Sequence, residues 1–412
     1  MTEATAISPP HVAPAAEPVS RGRVAILVHA LVPGDTRIRR QSDALIEAGY
    51  EVDVLALRGS GEPAETKDGA LRIVRLPVSR WFTGFAGHIA EYLAFTAVAT
   101  PRLAAAHRSR RYDLVQVATV PDFLAFAALP LKWMGVPLLL DLHEDMPEFF
   151  RDRFASPVLR PLVPLVTAVS RASAAISTEL VTVHEPLRRL SVGRGVPPEK
   201  IDVVMNSADE TIFDPTRHER RAWMADGVLR IIHHSNLQRI YGMDRAMAAI
   251  AELRHEVPLH LDVYGDGPWR ARIEAAITEH GVGYLVTLHG RVPLEELPAV
   301  ISRHDLGIVP SIHEPYLEYS LSTKLLEYVA MGVPAIASDL ATNRAHFTDA
   351  AISFVSGGDP RSLAQAIRAA VADPAAAQAR AVEARRQGAA YAWSAQKARY
   401  VALVDRLVGR TA

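Results

Sequence analysis

The chain has 412 residues, 49% of them hydrophobic and 22% charged, which suits two soluble globular domains and excludes disorder of the whole chain. Lys plus Arg (45) and Asp plus Glu (46) nearly cancel, leaving −1, so no global basic field argues for nucleic acid and any anion site must be local. The lack of cysteine excludes disulfides, thiol catalysis and zinc–thiolate sites, and is compatible with a reducing cytoplasm.

Residues 1–22, rich in Ala, Pro, Glu and Ser, show no apolar core behind a basic start and read as a disordered tail rather than a signal peptide. From there two halves repeat one pattern, short Val/Ile/Leu runs alternating with helical segments, which predicts parallel sheets covered on both faces. The first half, 23–208, holds runs at Val24–Val28, Val52–Leu57, Leu114–Val117, Leu138–Asp141, Ala175–Ser177 and Ile201–Val204. The second, 209–392, holds Leu229–His233, Leu259–Tyr264, Val286–Leu288, Leu306–Val309 and Ala335–Ala337, after a polar linker near 208–228. A helical run from Trp393 to Val408 follows. Between Trp81 and Leu103 the chain is largely apolar, but Gly84, Gly87, His88, Glu91 and Pro101 interrupt it, so an amphipathic helix is expected, not a membrane span. Arg80-Trp-Phe-Thr-Gly-Phe85, the Ile89–Val98 run and Arg108-Ser-Arg-Arg111 together suit peripheral contact with an anionic membrane; packing of the helix on its own sheet is the alternative.

In such sheets ligands collect beyond the carboxyl ends of the strands. After the first strand comes His29-Ala-Leu-Val-Pro-Gly-Asp-Thr-Arg-Ile-Arg-Arg40, where Pro33 and Gly34 allow close backbone approach and Arg37 or Arg40 can meet an anion. Asp35 either lines this loop or caps the first helix. The strand ending at Asp141 runs directly into Leu142-His143-Glu144-Asp-Met-Pro-Glu148, an imidazole among carboxylates that forms either a site or a satisfied structural cluster. No second histidine stands nearby at zinc-ligand spacing, so no metal is expected. Asn206-Ser-Ala-Asp209 and Phe213-Asp-Pro215 make a turn between the halves.

The second half opens with His234-Ser-Asn-Leu-Gln-Arg-Ile-Tyr-Gly-Met-Asp244, in which Arg239 is either an anion contact or a solvated turn residue. Tyr264-Gly-Asp-Gly-Pro268 is a tight turn or a weak Rossmann echo, and His289-Gly-Arg-Val-Pro293 bends at Gly290 after a strand. His313-Glu314 lie at the same edge. Ser320, Ser322 and Thr323 are helix-capping hydroxyls, so the first amides of the next turn can point at an anion, and Lys324 adds a positive charge there. Glu327 follows about one turn later on the same side, Leu325, Leu326 and Val329 supply the buried faces, and Gly332 with Pro334 ends the helix. A capped surface helix with one solvated glutamate is the plainer reading.

Taken in order, these segments resemble the family-4 retaining glycosyltransferases of GT-B fold over about residues 23–408. The resemblance implies an α/β architecture of two doubly wound Rossmann-like domains facing a central cleft, with a helix at 393–412 packing back on the first. It implies that Glu327 bonds the ribose of a nucleotide sugar, that Ser320, Leu321, Ser322 and Thr323 hold its phosphates or sugar, and that Arg291 and Val292 bracket the base. His143 would contact the donor sugar near the reacting centre. Gly34 would line the cleft near the leaving phosphate, with Asp35, Arg37, Asp141 and Glu144 on the acceptor side. Asn206 would mark the hinge, where Ser207 replaces the family's glycine, and Gly265 and Gly267 match its Gly-Asp-Gly-Pro turn. Three further positions depart: Tyr319 stands where the first of two paired glutamates is usual, and Asn236 and Tyr241 stand where an arginine and a lysine bind phosphate. Arg239 and Lys324 are the expected substitutes, because a pyrophosphate leaving group needs positive charge.

The implied reaction moves a glycosyl unit from a UDP- or GDP-linked sugar to a hydroxyl of a glycan, glycolipid or small metabolite. Retention, no metal and no cofactor beyond the nucleotide sugar are expected, and the leaving phosphate assists on the same face, since no nucleophile of glycosidase type is evident. A nucleotide-sugar epimerase using His143, Glu144 and His313 as acid–base groups is the first alternative, and it would release no free nucleotide when an acceptor is added. A non-catalytic two-lobed binding protein is the second, and would normally be exported. The expected setting is the cytoplasm, at the inner face of the membrane if the basic patch meets lipid.

Overall fold

Runs of Val, Ile and Leu followed by helical segments assemble, in a computed structural model describing residues 20–32, 34–78, 84–154 and 157–410, into one parallel sheet per half of the chain. The first half supplies β1 (Gly22–Leu31), β2 (Tyr50–Leu57), β3 (Glu65–Asp68), β4 (Leu71–Leu76), β5 (Leu114–Ala118), β6 (Leu138–Leu142), β7 (Glu179–Thr182) and β8 (Ile201–Val203). Their order is β3-β4-β2-β1-β5-β6-β7-β8, antiparallel only between β3 and β4. The second half supplies β9 (Leu229–Asn236), β10 (Leu259–Asp266), β11 (Val286–Leu288), β12 (Leu306–Val309), β13 (Ala335–Ser338) and β14 (Ser353–Val355). These lie parallel in the order β11-β10-β9-β12-β13-β14. Each order reverses beside its opening strand, between β1 and β5 and between β9 and β12, and such switch points are where open sheets bind ligands.

Helices cover both faces of each sheet, which is why β5 and β6 are buried end to end and read as unbroken apolar runs. The strand expected at Ala175–Ser177 is instead the end of the helix Val163–Ile176; alanine and serine there continue the helix, and the β-branched Val181 and Thr182 carry the strand two residues later as β7. The edge strand β3 and its neighbour β4 escape a hydropathy reading because Glu65, Lys67, Asp68, Arg72 and Arg75 break the apolar pattern. The 209–228 segment is docked on the second lobe through Phe213, Trp223 and an Arg221–Asp305 pair at 3.4 Å.

The helix Trp393–Leu407 returns to the first sheet, burying Trp393, Tyr400, Leu403 and Val404 with Val24, Ile26 and Val52. The helix Gly84–Arg110 gives Phe95, Ala99 and Leu103, one turn apart, to the core of its own sheet, with Leu93 left 55% exposed. Its apolar stripe is thereby used internally. Residues 1–19 of the expected tail, Pro33, Arg80 to Thr83 of the expected lipid contact, and 411–412 of the expected terminal helix lie outside the described residues. Among the described residues no helix is long and apolar enough to cross a membrane.

Candidate functional site

The second lobe's site begins where β9 and β10 end side by side. A Cβ on Gly265, whose φ is +126°, would lie 1.8 Å from the Ser235 carbonyl oxygen, and one on Gly267 would lie 2.4 Å from that of Leu237. Only glycine lets these two strand ends meet. Beyond them opens a cavity of about 940 Å³ that brings Tyr264, Arg291, Val292, Leu294 and Leu297 together with Asn236, Thr323, Lys324 and Glu327.

The helix Thr323–Ala330 points its start into this cavity, and Gly332 at φ +66° ends it as expected. Ser322 holds the N-cap position, but its hydroxyl caps nothing and has no hydrogen-bond partner among the described residues, so the expected side-chain cap is not made. Lys324 is buried, its Nζ 3.7 Å from the centre of the Tyr241 ring. Tyr241, standing at a usual lysine position, thus holds a lysine's charge from another segment by a cation–π contact.

Glu327 Oε2 lies 3.1 Å from His234 Nε2. Burial pushes the Glu327 carboxyl up to about 7, against the pull of Lys324 and Arg40. Burial, then Lys324 and His233, holds the His234 imidazole well below its usual range, so it stays neutral. His234 was not among the residues expected from sequence, although its place at a strand end was a signal. Arg239 is not brought to the cavity: half-exposed, it pairs with Glu314 at 2.8 Å. Of the two expected substitute cations, Lys324 alone lines it. Glu318 does not replace the glutamate missing at Tyr319, because its Oε2 accepts from the Ala341 amide (2.7 Å) and caps the next helix.

On the first lobe, Asp35 is the N-cap of the helix Thr36–Glu47, accepting from the amides of Arg37 and Ile38, and its other oxygen meets Arg37 Nη2 at 2.9 Å. Two of the four expected acceptor-side charges are therefore occupied with each other, just after Gly34. Asp141 is buried, 2.8 Å from His143 Nε2, and accepts from Gln41 (2.7 Å) and Gln116 (3.1 Å). Burial would raise its carboxyl, yet His143 and Gln41 hold it below the usual range. Gln116 in turn accepts from Tyr400 of the terminal helix at 2.6 Å. Asp141 is thus a support for His143, whose Nδ1 has no hydrogen-bond partner among the described residues.

Among the contacts that join the lobes are two hydrogen bonds that sequence did not disclose. Tyr316 donates to Glu144 Oε1 at 2.8 Å, and His184 Nε2 lies 2.9 Å from the Tyr319 carbonyl. His184 Nδ1 accepts from the Leu187 amide, so Nε2 carries the proton and donates to Tyr319. Between the lobes lies a second cavity of about 850 Å³ with His88, Tyr92, Phe149, Phe154 and Tyr316 around Glu144. Tyr241 lines this cavity as well as the first, so the two adjoin. At the hinge, Asn206 sits between Met205, whose amide donates to Gln396 (2.9 Å), and Ser207, whose carbonyl accepts from Arg40. His313 faces outward, its side chain 67% exposed and 3.3 Å from Glu318, so the acid–base trio an epimerase would need does not converge. Among the described residues no three His, Cys, Asp or Glu side chains are grouped to hold a metal ion.

Residues 34–207 match the model of a glycosyl transferase 4-like domain, and 229–373 match that of glycosyl transferases group 1. The 2-deoxystreptamine glucosyltransferase of Streptomyces kanamyceticus is 29% identical over 73% of this chain and 79% of its own. Sucrose-phosphate synthase from Thermosynechococcus elongatus superposes with a TM-score of 0.76 at 19% identity, covering 95% of this chain and all of that one. Anabaena HepE, solved in complex with UDP and glucose, superposes with a TM-score of 0.68 at 13% identity, covering 93% of this chain and 100% of its own.

Proposed function

The chain belongs to the glycosyl transferases group 1 family and is a glycosyltransferase of GT-B fold, and from that premise we propose that it moves a hexose from a UDP-linked donor to a ring hydroxyl of a small polyol or sugar, with retention and without a metal. The observation that carries this reading is the convergence of Lys324, the open start of the 323–330 helix and the Glu327–His234 pair in one cavity, adjoining an aromatic one between the lobes. A buried ammonium beside a helix start suits a pyrophosphate, and it supplies fixed charge where the leaving group becomes more anionic. The donor complex of the HepE neighbour supports UDP, and the named substrate of the Streptomyces relative supports a cyclitol-like acceptor.

In this reading Glu327 meets the ribose, while His143, held by Asp141, faces the transferred sugar through Nδ1. The bond from the anomeric carbon to the phosphate oxygen breaks as the acceptor oxygen bonds to the same face, and the acceptor's proton passes to the leaving phosphate. Stacking of the acceptor ring on Tyr92, Phe149 or Tyr316 would exclude water from that centre.

The test is incubation with UDP-glucose and a panel of acceptors that includes 2-deoxystreptamine, with UDP release followed and the product's anomeric coupling read by proton NMR, with and without EDTA. Acceptor-dependent UDP release giving an α-linked product, unchanged by EDTA, is expected. A β-linked product, or loss of transfer on chelation, contradicts the proposal.

A further inference from the structure

We propose that Tyr264 is the wall on which the donor's nucleobase stacks, and that Asp262 positions that wall through His289; this rests on the nucleotide-sugar reading above. Strand β10 alternates, so Leu259, Leu261 and Val263 enter the core while His260, Asp262 and Tyr264 share the opposite face. Tyr264 stands beside His234 on the neighbouring strand and lines the cavity together with Val292, Leu294 and Leu297, in the same cavity as Lys324 and Glu327. A flat heteroaromatic ring fits between a phenol ring and aliphatic groups, with its ribose and phosphates running toward the carboxyl and the ammonium.

The Tyr264 ring is backed by the His289 imidazole, stacked at 4.2 Å and 7° between planes. His289 Nε2 lies 2.6 Å from Asp262 Oδ1, and the other Asp262 oxygen lies 3.2 Å from His304 Nε2. His304 is itself fixed by its Nδ1, 2.8 Å from the Val300 carbonyl. One carboxylate therefore braces two imidazoles, one of which is the back of the wall. The same unit sets the neighbouring backbone: the Gly290 carbonyl accepts from Gly265 at 2.9 Å, and the His289 carbonyl accepts from Arg270 at 3.1 Å. A carboxylate needed only for stability would have no reason to act on donor binding.

Calorimetric titration of UDP into the full chain tests the wall. Tyr264→Ala should weaken UDP binding by about tenfold or more, the usual loss for a base–aromatic stack, while inhibition of transfer by inorganic pyrophosphate stays as in wild type. Tyr264→Leu, which keeps apolar volume, serves if the alanine variant melts early, with the same expectation. Asp262→Asn should raise the donor KM by a larger factor than it lowers kcat, and His289→Phe, which restores a flat backing ring, should bind UDP more tightly than His289→Ala. Folded Tyr264 variants that bind UDP like wild type overturn this inference alone. Wild type that binds neither UDP nor GDP overturns it together with the reading it rests on.

Discussion

Glu327 has a carboxyl that burial raises from 4.5 to about 7, and this gives the fold a pH dependence of definite sign. The folded chain holds a proton there that the unfolded chain has lost, so this group's contribution is full below pH 4.5 and falls away as pH rises through 7. Melting temperatures measured between pH 4.5 and 8 should therefore decline less in Glu327→Gln than in wild type. Parallel declines would mean that the carboxyl is not perturbed. His234 acts with the opposite sign, since its folded value is depressed, but it is common to both proteins. Charge at the pyrophosphate separates two other residues. Lys324→Ala should lower kcat by about 10²–10³, the usual loss when one preorganised donor is removed, whereas Arg239→Ala, already paired with Glu314, should stay near wild type. Equal losses in the two variants would return Arg239 to the site. At this scale the sequence singled out Lys324 and Glu327 by their place on a capped helix start and His143 by its place after a strand, but not His234 beside Glu327 or Tyr241 beneath Lys324. Those pairings join separate segments, and no local pattern encodes which side chains meet across a fold.

Two elements decide the geometry of the cleft. The first is the meeting of β9 and β10, where Gly265→Ala would drive a methyl into the Ser235 carbonyl, so the variant should lose about 1–3 kcal/mol or more in denaturant unfolding and open the donor cavity. Unchanged stability would mean that the strand ends are not held this closely. The second is the terminal helix, whose Tyr400 hydroxyl satisfies buried Gln116 and through it Asp141. Tyr400→Phe should cost about 1–3 kcal/mol, the price of an unpaired buried polar group, and should lower kcat by loosening His143. A variant with wild-type stability and turnover would disconnect this helix from the site. The helices and central strands were legible because their apolar periodicity is strong; β3 and β4 were not, because charge masks it, and the 175–177 strand was misplaced because a short apolar run was weighed above alanine's helix preference.

For the whole molecule, the two lobes, the linker and the cleft followed from a repeated pattern broken by a polar stretch, whereas their mutual placement did not. That placement rests on Tyr316 with Glu144, His184 with Tyr319, and the helix that returns across the hinge, contacts between residues 135 to 284 positions apart. With Tyr319, Asn236 and Tyr241 in place of charged residues, the donor cavity is lined by the charged groups Asp266, Arg291, Lys324 and Glu327. Calorimetric titration of UDP into wild type and Glu327→Ala tests this arrangement most directly. Wild type should bind, and the variant should bind roughly 10- to 150-fold more weakly, the loss of a charge-assisted hydrogen bond of about 1.5–3 kcal/mol. Equal affinity of the two proteins would contradict the assignment of this cavity to the donor.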